Sequence, residues 1–258
     1  MTRAPELRVF RTIEELAQEA AEFFLWLGRD TIGRTGQFRI ALAGGSTPRA
    51  LHAAIVAQTR STSFEWSKAE WFFGDERCVP PDHGESNYRM ADETLFRPLG
   101  IAGAQVHRMR GEEADRAKAA EQYAAELAQC FGITPPAWPR FDLVLLGLGD
   151  DAHTASLFPG SPAVDERTRW AVHTVSPKGV ADRLTLTLPV INQATTILFL
   201  VTGSGKVPAV KSVLEGRAGA LPPAAGVVPA NGRLLWFLDE AAASGLTSIQ
   251  QSVDPREE

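Results

Sequence analysis

Residues 141–160, FDLVLLGLGDDAHTASLFPG, carry a single imidazole, His153, where an unbroken apolar run gives way to glycines and acids. A run that is apolar on both alternations reads as a strand covered on both faces, and open parallel sheets bind ligands beyond the carboxyl ends of such strands. An imidazole titrates near neutrality, with an ordinary pKa of ~6.5, and so suits a general base that takes a proton from water. A histidine after a strand can also simply cap a helix or bond a carbonyl, but the neighbours here favour chemistry. Gly147 and Gly149 allow close backbone approach, Asp150 and Asp151 can orient the ring, and Thr154 and Ser156 offer hydroxyls and amides at an expected helix start.

Two further loops suit an anion. GGSTP at 44–48 offers converging amides at Gly44 and Gly45, the hydroxyls of Ser46 and Thr47, and the positive end of the helix that follows, with Pro48 in its first turn. TGSGK at 202–206 follows another apolar strand and brings Lys206 to a helix start, while Arg77 in GDER places a second cation at a strand end. Each feature has an ordinary alternative: a plain turn, a surface lysine, an arginine paired with Glu76 or Asp75. Two cations and one amide nest at expected carboxyl ends fit a phosphorylated small molecule.

Several chemistries lack their residues. There is no GxSxG elbow, no GxxxxGK[ST] loop and no GxGxxG fingerprint. Cys78 and Cys130 show no histidine-rich setting in the sequence and read as spectators in a reducing compartment, the cytoplasm. His52, His83, His107 and His173 are scattered without metal-ligand spacing, so neither metal nor organic cofactor is expected.

The elements that must position these loops follow an α/β rhythm. Strands are expected at 7–10, 38–43, 70–73, 141–148, 170–175, 196–202 and 234–238. Helices are expected at 12–34, with Thr12 and Glu15 as a capping box, from Pro48, from Ser86 and Asn87, over 112–131 and over 205–215. The alternation predicts a mostly parallel, doubly covered, Rossmann-like sheet in one domain spanning 1–258, with a polar tail fraying over 248–258. A 44% hydrophobic and 22% charged composition is ordinary for a chain with a sizeable core. A net charge of -5 without a basic block excludes a nucleic-acid footprint, and no stretch approaches the ~20 apolar residues of a membrane span.

Taken together, ALAGGSTPRALH, WFFGDERCVPPDHGESNYRMADETLF, FDLVLLGLGDDAHTASLFPGSP, SPKGVADRLTLTLPVINQA and LFLVTGSGK resemble the 6-phosphogluconolactonase family over nearly the whole chain. The resemblance implies the glucosamine-6-phosphate deaminase/6-phosphogluconolactonase fold and hydrolysis of 6-phosphoglucono-1,5-lactone without an obligatory cofactor, the partner being that small sugar-phosphate lactone and the expected state a monomer. It makes His153, in the family's GxGxDGHTASLFPG motif, the base. It places Asp75 and Arg77 at the border of the catalytic site, and Lys206 with Gly44, Gly45, Ser46 and Thr47 near the sugar phosphate. Backbone amides of the 147–152 loop, with Gly149 and Asp151 as candidates, or Arg77, would meet the oxyanion. Ala152 stands where the family has glycine, a cost of about 1 kcal/mol if the position needs a positive φ.

Two alternatives differ in chemistry. The glucosamine-6-phosphate deaminases have a similar Gly-Asp-His loop continuing as His-Ile-Ala-Phe-Asn-Glu-Pro, whereas residues 154–159 here supply no carboxylate. A sugar-phosphate sensor of the same fold is expected to carry a DNA-binding helix pair, and only about a dozen residues precede the first expected helix.

Overall fold

A computed structural model describes residues 5–59, 62–216 and 221–247. The tail expected to fray, 248–258, lies outside the described residues. The strands are β1 (Glu6–Phe10), β2 (Phe38–Leu42), β3 (Ala69–Phe73), β4 (Asp75–Arg77), β5 (Leu143–Leu146), β6 (Ala171–Val175), β7 (Asp182–Leu186), β8 (Thr196–Val201) and β9 (Arg233–Asp239). The helices are α1 (Ile13–Thr35), α2 (Ser46–Gln58), α3 (Asn87–Ala91), α4 (Arg97–Leu99), α5 (Arg116–Phe131), α6 (Leu188–Ile191), α7 (Val207–Leu214) and α8 (Glu240–Ala243).

Six strands form one sheet in the order β1-β9-β8-β5-β2-β3, every pair parallel. Alternate side chains of its central strands feed two separate cores. Leu143 and Leu145 of β5, with Leu198 and Leu200 of β8, join the aromatic core under α1 and α2. Val144 and Leu146, with Ile197, Phe199 and Val201, join the core that takes in α5. Period-two alternation with both faces apolar is why these strands read as continuous hydrophobic runs.

A second, smaller sheet stands beside the expected mostly parallel one. β4, β7 and β6 pair antiparallel in that order, so the expected strand near 170–175 belongs here, and Asp75–Arg77, expected at the end of the preceding strand, form a strand of their own. Helix starts also move. Thr12 accepts from the Glu15 amide as expected, but the Glu15 carboxylate reaches back to the Arg11 amide, not to Thr12, so the box closes one residue early. α5 starts at Arg116, four residues after the expected 112, because Asp115 accepts from the Lys118 amide and caps it. α2 already begins at Ser46, and α7 begins at Val207 after a 3-10 turn over Ser204–Lys206.

Candidate active site

The ends of β2, β5 and β8 open on a cleft of about 370 Å³, closed on its other side by β4, by Arg183 of β7 and by the hairpin residues Ser176, Pro177 and Lys178. His153 stands on its wall, its side chain about a third exposed. Nδ1 lies 2.5 Å from Asp151 Oδ1, and the same oxygen accepts the His153 amide at 3.2 Å. A carboxylate can only accept, so Nδ1 is the donor, and in the neutral ring Nε2 keeps its lone pair. Burial raises the Asp151 carboxyl, but the hydrogen bonds from the His153 ring and amide outweigh it and hold the group below the usual carboxylate range. Phe158 packs against the imidazole at 4.7 Å between ring centroids.

The loop is built to bring these groups together. The Gly149 amide donates to the His153 carbonyl at 2.8 Å and the Ala152 amide to the Gly149 carbonyl at 3.0 Å, closing a tight turn. Ala152 does take a positive φ, 60°, as does Ala155 at 48°, each at a cost on the order of 1 kcal/mol. A Cβ on Gly149 would fall 2.0 Å from His153 Nδ1, so only glycine admits the ring there. Two expectations change. With its amide engaged, Gly149 has no N–H left for an oxyanion, and the Asp151 carboxylate acts on the imidazole. No helix starts at 154–156: the Thr154 hydroxyl donates to the Gly147 carbonyl at 2.9 Å, and Ser156 is buried.

Asp75, Asn87 and Ser156, which also line the cleft, belong to a buried polar network that the sequence did not reveal. The Ser156 hydroxyl donates to Asp75 Oδ2 at 2.6 Å, and Asn87 Nδ2 donates to Asp75 Oδ1 and to its carbonyl. The neighbouring Glu76 accepts the amides of Arg77, Asn87 and Tyr88 and the Ser86 hydroxyl, tying β4 to the start of α3. Burial pushes the Glu76 carboxyl up, and those four donors oppose it. A Cβ on Gly44 would fall 1.9 Å from Asn87 Oδ1, so the GGST loop is seated directly on this network.

Of the residues expected at an anion, Gly44, Gly45, Arg77 and Lys206 line the cleft. Ser46 is exposed in the first turn of α2, and the buried Thr47 hydroxyl bonds Thr202 at 2.9 Å, so neither hydroxyl is part of the wall. Lys206 Nζ is paired with Asp150 at 2.6 Å. Arg77 donates through Nη1 to the Glu85 carbonyl at 2.5 Å, and its buried Nε has no hydrogen-bond partner. Arg183 and Lys178, unmarked in the sequence reading, add two cations. Burial, reinforced by the Arg77 charge, pulls the Arg183 guanidinium below its ordinary value. Far from the cleft, Cys130 does have a histidine neighbour, His107 Nδ1 at 3.5 Å. Burial, with Glu70 and Glu126 adding, pushes its thiol up to about 11, which leaves no thiolate at neutral pH.

Residues 11–236 match the profile of a family described as glucosamine-6-phosphate isomerases/6-phosphogluconolactonase. The chain is 38% identical to the 6-phosphogluconolactonase of a Synechocystis strain over 243 residues, covering 94% of this chain and 99% of that one. It is 41% identical to the 6-phosphogluconolactonase of Rattus norvegicus over 242 residues, 92% of each chain. Among solved structures, 6-phosphogluconolactonase from Trypanosoma cruzi superposes with a TM-score of 0.86 at 31% identity, covering 96% of this chain and 99% of that one. Among the described residues no helix is long and apolar enough to cross a membrane.

Proposed function

This chain belongs to the glucosamine-6-phosphate isomerase/6-phosphogluconolactonase family, and from that premise we propose that His153, held by Asp151, is the general base of its reaction. That reaction is hydrolysis of 6-phospho-D-glucono-1,5-lactone to 6-phospho-D-gluconate, an ester hydrolysis in the oxidative branch of the pentose phosphate pathway. The observation that carries the role of His153 is the 2.5 Å contact between its Nδ1 and Asp151 Oδ1 on the cleft wall. With Nδ1 so engaged, Nε2 takes a proton from water as the water oxygen bonds C1 of the lactone. The carbonyl π pair moves onto oxygen, where Arg77, whose buried Nε lacks a partner, offers positive charge. Collapse of the tetrahedral adduct breaks the bond from C1 to the ring oxygen, which takes the proton back from the imidazolium.

Phosphate binding is proposed at Lys206, Gly44 and Gly45 beside the N-terminus of α2, with Lys178 and Arg183 adding positive charge. Gripping the remote phosphate holds C1 in reach of the base, so its binding energy is used for orientation. The free thiols of Cys78 and Cys130 support a cytoplasmic setting.

The test is lactone disappearance at controlled pH, corrected for spontaneous opening, with and without the 6-phosphate. Rapid opening of the phosphorylated lactone alone is the expected result. Ammonia release from glucosamine 6-phosphate, or tight phosphosugar binding without lactone consumption, would overturn the assignment.

A further inference from the structure

Lys206 is already occupied. Its ammonium lies 2.6 Å from the carboxylate of Asp150, with Lys206 about three-quarters buried and Asp150 more than two-thirds exposed, at 28% and 69% side-chain exposure. The two groups come from different loops, after β5 and after β8, and meet across the cleft that both line. Among the described residues no other cation hydrogen-bonds Asp150, and the next positive charge that acts on it is Lys178, on the β6–β7 hairpin of the same cleft.

We infer that Asp150 sets the affinity for the substrate's phosphate: its carboxylate is an internal anion that holds Lys206 across the cleft and that the phosphate must displace. This rests on the proposed role of Lys206 in phosphate binding. A ligand end with one negative charge exchanges one carboxylate-like contact for another and gains little. A phosphate dianion brings twice the charge and three acceptor oxygens, so it wins the ammonium. The displaced Asp150 carboxylate keeps a cation within reach in Lys178. Asp150 thus weakens phosphate capture by the cost of breaking its pair with Lys206, and it leaves the base untouched because Asp151, not Asp150, holds His153.

The size of the effect follows from exposure. An ion pair so open to water is worth up to about 1 kcal/mol, which is at most about fivefold in affinity at 25 °C. The experiment is steady-state kinetics of the full-length protein and its Asp150→Asn and Lys206→Met variants, with the 6-phospholactone and with unphosphorylated glucono-1,5-lactone at fixed ionic strength. In Asp150→Asn, KM for the 6-phospholactone should fall two- to fivefold, kcat should stay within twofold, and inhibition by sulfate at a pH near 6.5 should strengthen. The same variant should leave the unphosphorylated lactone unaffected. An unchanged or raised KM in Asp150→Asn, alongside a KM raised at least tenfold in Lys206→Met, overturns the role of Asp150 and spares that of Lys206. An unchanged KM in Lys206→Met removes both.

Discussion

The imidazole of His153 lies so close over Gly149 that a Cβ on the glycine would come within 2.0 Å of Nδ1 and 2.8 Å of Asp151 Oδ1. Neither the ring nor the carboxylate can back away cheaply, because each is the other's partner. Gly149→Ala should therefore turn the imidazole out of its place. A fall in kcat of at least tenfold is expected, with KM for the phosphorylated lactone within threefold, since the anion-binding side of the cleft is separate. Steady-state kinetics check this, and an unchanged kcat would show that ring placement does not matter.

Asp151→Asn keeps the shape but offers an amide that can turn its NH₂ toward Nδ1. The ring then loses the acceptor that fixes its tautomer, and kcat should drop on the order of 10²-fold or more, as removal of an orienting carboxylate does elsewhere. The carboxyl is held below its ordinary range, so in the wild type it stays ionised across the neutral region and is lost only as pH falls through that depressed value. Steady-state kinetics at pH 7 check this, and a kcat within tenfold of the wild type would contradict the role given to Asp151.

His52, on α2, bears on stability and not on catalysis. Its Nδ1 meets Thr94 Oγ1 at 2.8 Å, and that hydroxyl donates to the Met90 carbonyl, so Nδ1 must be the donor and the buried Nε2 is left bare. Burial first, and the charge of Arg49 second, lower its pKa from 6.5 to about 3. The folded state thus favours the neutral ring: its contribution is complete above pH 6.5 and is lost as pH falls from 6.5 toward 3, by about 1.4 kcal/mol per unit. Urea unfolding at pH 7, 6 and 5 should show this slope in the wild type and a flatter one in His52→Asn, whose amide keeps a donor for Thr94. Equal slopes would mean that His52 is not held neutral.

Glu76→Gln tests the buried network. Its carboxylate takes two donors on each oxygen, and glutamine would turn an NH₂ toward two of them. A loss of roughly 2–4 kcal/mol is expected in chemical denaturation, because buried donors are left facing a donor. A loss below 1 kcal/mol would mean the network is not what ties β4 to α3.

How much of this could be read from the residues depended on range. His153, Asp151, the GGST loop and Lys206 sit in short local patterns, where a strand end, glycines and a charge announce themselves within ten residues. The parallel sheet was legible for the same reason, through doubly apolar runs such as that around β5. The small sheet was not: β4 pairs Asp75 with Thr185, over a separation no local pattern encodes. Ser156 looked like a helix-start hydroxyl and is instead the partner of Asp75, 81 residues away. Arg183 and Lys178 looked like any surface cations until the hairpin folded over the cleft. The start of α5 was misplaced because Glu112 and Glu113 continue the helical charge pattern, while the cap that starts the helix is Asp115.

The most direct measurement is kcat for the 6-phospholactone in His153→Gln, after subtraction of spontaneous opening, with product affinity determined in parallel. If the imidazole is the base, kcat falls by about 10²–10⁴-fold while 6-phosphogluconate binding stays within threefold. Turnover within tenfold of the wild type, with binding intact, would contradict the assignment of His153 as the group that activates water.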